Sequence, residues 1–392
     1  MDLPARRPRP AVHIFSLRYL LVVPFVLAAL TGYVLFLHSD VNMYMLYSQC
    51  HARSRLPWLS HIPLLGGPAC FLVSFFSEAV DNSLRAAATM AAILSFIASL
   101  LTVSTVEAAR LCNAPSLVIA YPTGSWLVFT LVGGAIVWEL VIIPAFFHRS
   151  RAIIAARKGS ADLPQLPAGP TDPTFGEAMR HLGPHGLAET VAIPVAVAVG
   201  FVAPALLVLV LHHPVAVLVW LLFPVLVSLV RQAVRGLAVV LSGPRSGAEG
   251  EARWWTSTSS GSLHLESNRR ALLAVYALPV LCSVLAHGFL IWSLTQPDDR
   301  REMTRSVLKF ITIDAFFVGL TVLYWILVEA GWRVALVVAA ASVVLGPGAG
   351  ICIGWVYREQ TVDPDRSVTV VAVGSRRDSE DTSPSEETPL LG

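Results

Sequence analysis

Apolar runs of about the twenty residues a helix needs to cross a bilayer recur along the chain, separated by short polar stretches. They cover residues 19–38, 86–106, 126–147, 187–211, 215–241, 271–294, 310–328 and 334–356, which predicts eight membrane-spanning helices. A shorter run, 61–76, is interrupted by Gly66, Gly67 and Pro68 and reads either as a ninth, broken span or as a re-entrant piece. The expected fold class is all-α, a polytopic transmembrane helical bundle of eight or nine spans.

Polar segments at 148–186 and 242–270 divide the bundle into helices over 19–147, 187–241 and 271–356, after a basic N-terminus at 1–18 and before an acidic tail at 357–392. The first segment is rich in proline and glycine and the second in serine and glycine, which are compositions of linkers rather than of catalytic domains. Both carry several arginines, as does the N-terminus, and the excess of basic residues in cytoplasmic loops puts all three in the cytosol. A ninth span satisfies that grouping and leaves the tail in the lumen. The tail's last residues, Glu386-Glu387-Thr388-Pro389-Leu390-Leu391, pull the other way, because they match an acidic dileucine sorting signal that is read only in the cytosol. No internal repeat is visible. Gly346, Gly350 and Gly354 recur at spacing four on the last expected helix, where small residues permit close helix contact.

Composition strengthens the membrane reading. The 392 residues are 55% hydrophobic and 14% charged, against about 25% charged in a typical globular chain. A net charge of +2 with scattered arginines gives no footprint for nucleic acid. The five cysteines, Cys50, Cys70, Cys112, Cys282 and Cys352, are far apart and form no CxxC pair, so neither a disulfide framework nor a zinc site is expected. His212 and His213 are adjacent and point in different directions, unlike the i,i+4 pair of a helical zinc site. No metal or cofactor is implied.

Ionisable groups at membrane depth are costly, so each is a candidate functional residue. Glu107 and Arg110 end an apolar helix that carries Thr102, Ser104 and Thr105. They read either as a helix-end ion pair or as the reactive end of a cavity. Glu139 and Asp314 lie amid apolar residues with no basic neighbour within a turn, and each is expected to be held neutral as a proton donor or to hydrogen-bond a neighbouring helix. Glu329 and Arg333, four residues apart, read as a boundary surface pair, while Glu189, Glu78 and Asp81 are weaker candidates. Asn113, Tyr121, Trp138, Tyr324 and Trp325, with Arg110, are the candidate substrate contacts. The plainer reading of such aromatics, as of Trp126 and Trp292, is the belt at the membrane interface. Neutral carboxyls beside aromatic faces suit acid-initiated chemistry on a greasy substrate.

The stretch from Leu101 through Glu107, Arg110 and Asn113 to Pro115, with Ala120-Tyr121-Pro122-Thr123 and the run Val137-Trp138-Glu139 to Phe147, resembles a fungal family of membrane-bound terpene cyclases of ascofuranone- and ascochlorin-type meroterpenoid pathways. The resemblance covers most spans and neither the loops nor the tail. It implies a metal-independent enzyme of the endoplasmic reticulum membrane, and cyclisation of an epoxidised farnesyl chain on an aromatic, polyketide-derived phenol. The partners expected are that lipophilic prenylated phenol epoxide and membrane lipid, with the oligomeric state open. Glu107, Glu139 and Asp314 are the candidate acids. The absence of a DDxxD-like cluster argues against diphosphate-ionising cyclases. The alternative is a polytopic transporter or channel without catalysis.

Overall fold

The computed structural model describes residues 11–39, 66–80, 82–161, 186–242 and 268–362, with the single positions 41, 46, 182 and 265. The basic residues before position 11, Asp81, most of both long polar segments and the dileucine tail lie outside the described residues. Among the described residues all regular structure is helical, and an isolated bridge joins Arg110 to Leu182.

Twelve helices carry the architecture: α1 Leu17–His38, α2 Gly66–Ala79, α3 Leu84–Ala109, α4 Thr123–Val132, α5 over residues 134–161, α6 over residues 186–211, α7 Pro214–Leu221, α8 Phe223–Ser242, α9 Arg269–Leu294, α10 Glu302–Ala330, α11 Trp332–Leu345 and α12 Pro347–Val362. Five of them, α1, α3, α6, α9 and α10, are long and apolar enough to cross a membrane, and the bent pair α7–α8 makes a sixth if counted as one broken span. The protein is an all-helical membrane protein. Helix α3 is its axis, because its apolar window is 78% buried where that of α1 is 22% buried. The cap of α3 is local: the Ser83 hydroxyl accepts from Ala86 N–H at 3.2 Å, which satisfies an otherwise orphan donor.

Two of the eight predicted spans are helical hairpins instead. The run 126–147 breaks at Gly133 and the run 334–356 at Gly346, where φ is +117° and +95°. An L side chain is strained there, whereas glycine is not. Pro347 then opens α12 with the φ that a first helical turn needs. In the second hairpin a Cβ on Gly350 would meet Ser342, and one on Gly354 would meet Val338. Those partners stand four and eight residues either side of Gly346, so α11 and α12 run antiparallel in contact. The glycine spacing does serve close packing, but against the helix's own hairpin partner. In the first hairpin the Trp126 and Trp138 rings are 6.1 Å apart. Periodicity misses both breaks because the runs stay apolar through the turn. At 1.5 Å per residue α4 is about 15 Å long and α11 about 21 Å, each short of a hydrocarbon core of about 30 Å.

Alpha-helical geometry also yields before proline. Five-residue π turns occupy Trp138–Ile142 in α5 and Ala198–Val202 in α6, each two residues ahead of a proline, Pro144 and Pro204. A proline cannot donate to the carbonyl four residues back and its ring crowds that carbonyl, and the wider turn relieves both.

Ends of helices gather on two faces. On one, Arg151 donates to Val12 O, Arg149 to Cys112 O and Ser150 to Glu329, so the start of α1 meets the ends of α3, α5, α10 and α12. On the other, Leu84 N–H donates to Asp299, Arg85 to Gln296 O and Thr304 to Glu78, so the end of α2 and the start of α3 meet the α9–α10 turn. In that turn the Arg300 side chain, hydrogen-bonded to Asp298, holds the Asp298 carboxyl well below the usual carboxylate range. Cys70, on α2, is disulfide-bonded, while Cys112, Cys282 and Cys352 are in no disulfide. The spacing of cysteines along the chain had predicted no disulfide, and folding rather than sequence proximity brings the thiols together.

Candidate functional site

The first concentration of polar groups lies where α3, α5, α10 and α12 end together. Glu107 and Arg110 form the pair that their spacing predicts, with Arg110 Nε 2.9 Å from Glu107 Oε1 and both side chains at most 3% exposed. It is no surface pair. Trp355 Nε1 donates to Glu107 Oε1 at 2.9 Å, Asn113 Nδ2 donates to Oε2 at 2.8 Å, and Arg358 Nη1 reaches Oε1 at 3.3 Å. Arg358 also bridges to Glu329, Nη2 to Oε2 at 2.5 Å. Glu329 therefore belongs to a buried network and not to the Arg333 boundary pair that its spacing predicts, because the α11–α12 hairpin returns Arg358 to this end of the bundle. The guanidinium of Arg333 lies 5.7 Å from the Trp332 ring. The Arg358 guanidinium stacks 4.4 Å from the Trp355 ring, and the rings of Trp355 and Trp325 are 4.3 Å apart.

The second concentration is at the tip of the first hairpin. Asp314, on α10, accepts from Gly134 N–H at 2.9 Å and from Ala135 N–H at 3.0 Å. It caps the start of α5, where unpaired amides and the helix dipole both favour a negative group. The cap leaves no room for a larger residue: a Cβ on Gly134 would come within 2.9 Å of Asp314 Oδ2. Beside this cap lies a cavity of about 270 Å³ bounded by α2, α3, α10 and the hairpin tip. Phe75, Phe96, Phe129 and Phe310 line it, and among the described residues Asp314 is its one ionisable lining residue.

Glu139 sits just over one turn further along α5 and is fully buried. Its Oε1 accepts from Thr31 at 2.8 Å and from Thr321 at 3.4 Å, while Oε2 has no partner among the described residues. Trp138 and Trp325, both buried, lie 6.3 Å apart with their rings tilted by 49° and connect the two concentrations through the core. Neither is a belt residue. Tyr324 donates its hydroxyl to Leu20 O at 2.9 Å and packs the bundle rather than a cavity. Tyr121 is 71% exposed and lines a different cleft, with Arg110. The candidate residues thus fall into three places: Glu107, Arg110 and Asn113 in the ionic network, Asp314 at the cavity, and Glu139 behind it.

Sequence reasoning missed Arg358, Trp355, Thr31 and the Gly133–Gly134 tip. A lone arginine just after the apolar run 334–356 was the available signal for the first, and a double glycine inside a span for the last. Among the described residues no group of three or more His, Cys, Asp or Glu could hold a metal ion. Compared with models of protein families, with curated proteins and with solved structures, the chain matches none.

Proposed function

We propose that the protein is a membrane enzyme that takes a lipophilic substrate from the bilayer into the cavity beside Asp314 and cyclises it. The observation that carries this reading is a phenylalanine-lined cavity among the apolar helices, with Asp314 the single ionisable residue among the described residues of its wall. The terpene cyclase resemblance supplies the reaction, isomerisation of an epoxidised farnesyl chain on a phenol. A proton passes to the epoxide oxygen as the C–O bond breaks, an alkene attacks the carbon left electron-poor, and the final cation returns a proton to a base. The product has the mass of the substrate. Asp314 and the phenylalanine faces steady the cation, while Glu139, with one oxygen unpartnered behind the cavity, holds the transferable proton. Glu107, locked among four donors, positions the bundle end.

For the membrane arrangement we propose six crossings, by α1, α3, α6, α7–α8, α9 and α10, in place of eight or nine. Two hairpins then enter from the arginine-rich face, which is cytosolic, and the disulfide at Cys70 fits the opposite, oxidising lumen of the endoplasmic reticulum.

The test is to express the chain in yeast microsomes, supply an epoxyfarnesyl phenol and search for an isomer of equal mass. Turnover is expected without added cofactor, and Asp314→Asn or Glu139→Gln should lower it about a hundredfold. Wild-type rates in both variants would sink the acid assignment. Hairpins that stop at mid-bilayer, with a helix N-terminus at the tip, also occur at transporter binding sites. No isomer from the wild type, but saturable uptake of the same phenol into sealed vesicles, would establish that second reading.

A further inference from the structure

A cleft of about 310 Å³ opens on the arginine-rich face, between the end of α3, the residues leading into α4, and α8. Arg110, Arg231 and Arg235 line it together with Ser228, Gln232 and Tyr121, and among the described residues no acidic one lines it. The carboxylates that compensate these arginines stand behind the wall. Glu189, on α6, receives Arg231 through two contacts, Nε to Oε2 at 2.8 Å and Nη2 to Oε1 at 3.0 Å, and Arg235 Nη1 at 3.4 Å. Glu107 holds Arg110 through a single contact, Nε to Oε1 at 2.9 Å. Each guanidinium is therefore fixed by a buried acid while its positive charge borders the cleft, which is the preorganisation that recognition of a planar anion requires. The inner wall changes character, with Leu101, Trp126 and Val227 supplying apolar surface. A site that is cationic at its polar mouth and apolar within, at the boundary of a membrane helix bundle, matches an amphiphile with an acidic head.

We infer that this cleft binds the phosphate or carboxylate head of an anionic amphiphile, with its apolar chain laid against Trp126 and Leu101. The site is separate from the Asp314 cavity, so it stands whether or not the cyclase reading does. It also gives Arg110 and Tyr121, singled out in the sequence, a ligand that the Asp314 cavity does not offer them.

The experiment uses the full chain in phosphatidylcholine nanodiscs doped with phosphatidic acid of the same acyl chains, and native mass spectrometry to read which lipid stays bound. Phosphatidic acid should be retained at least about tenfold over phosphatidylcholine. Arg235→Gln, at a half-exposed position, should lower that retention about fivefold. Ser228→Phe, which fills the cleft without touching its charges, should lower it as well, with thermal melting confirming that both variants fold. Arg333→Gln, on the same face but outside the cleft, should leave it unchanged. Equal retention of the two lipids, full retention by Ser228→Phe, or an equal loss from Arg333→Gln overturns the inference. Glycerol 3-phosphate, which carries the head without the tail, distinguishes the sources: weak competition supports a lipid, and competition as strong as that of phosphatidic acid overturns the amphiphile in favour of a soluble phosphate ester.

Discussion

Four side chains converge on the Glu107 carboxylate, from Arg110, Asn113, Trp355 and Arg358, and all of them are at most 8% exposed. Taking one partner out of such a cluster leaves the opposite charges buried and uncompensated, at a cost of about 3–5 kcal/mol. Glu107→Leu should accordingly lower the melting temperature of the detergent-solubilised protein by many degrees, and Glu107→Gln, which keeps the hydrogen-bond geometry, by less. Equal, small shifts in both would show that the network contributes nothing to stability. At this scale the residues themselves were legible, because charge inside an apolar run stands out. Their partners were not. Glu107 is 251 positions from Arg358, and no local spacing rule reaches that far.

Among the elements, the hairpins depart furthest from the expected pattern. A Cβ placed on Gly354 would lie 3.5 Å from Val338 Cβ, within the separation that a disulfide bridges. The same two positions on one straight helix would be about 24 Å apart. Val338→Cys with Gly354→Cys, in a background lacking Cys112, Cys282 and Cys352, should therefore oxidise to an intramolecular cross-link, seen as a mobility shift on non-reducing gels. Failure to cross-link under oxidant, with both thiols reactive after denaturation, would restore the continuous span 334–356. The pattern of the run 126–147 predicts one helix for the same reason. Hydropathy averages over a window, and a single glycine with positive φ reverses the chain without changing the average.

For the whole molecule, the short α2 decides parity: the two hairpins together remove two crossings from nine, and α2, of 14 residues and outside the six crossings proposed, removes the third. Helix α12 ends at the face where α1 begins, since Arg358 reaches both Glu107 and Glu329. The six crossings proposed would leave both termini in the cytosol, whereas nine would place the tail in the lumen. A protease site inserted after Gly261 and another after Val362 should both be cut in sealed microsomes, and protection of the second alone would return the odd count. A cytosolic tail would also agree with the dileucine-like match expected at residues 386–391, which lies outside the described residues.

From its sequence alone this chain is a helical membrane protein, with Glu107, Glu139 and Asp314 as the carboxyls to watch and the arginine-rich segments expected on one side. Those properties follow from local composition: lipid selects long apolar runs, and charge within them is conspicuous. Only the tertiary structure decided which runs fold back on themselves, that Arg358 rather than Arg333 meets Glu329, and that Asp314 borders a cavity while Glu139 lies behind it. Each of those outcomes depends on contact between helices far apart in the chain, where packing of side chains, and not the pattern of any one segment, determines which groups meet.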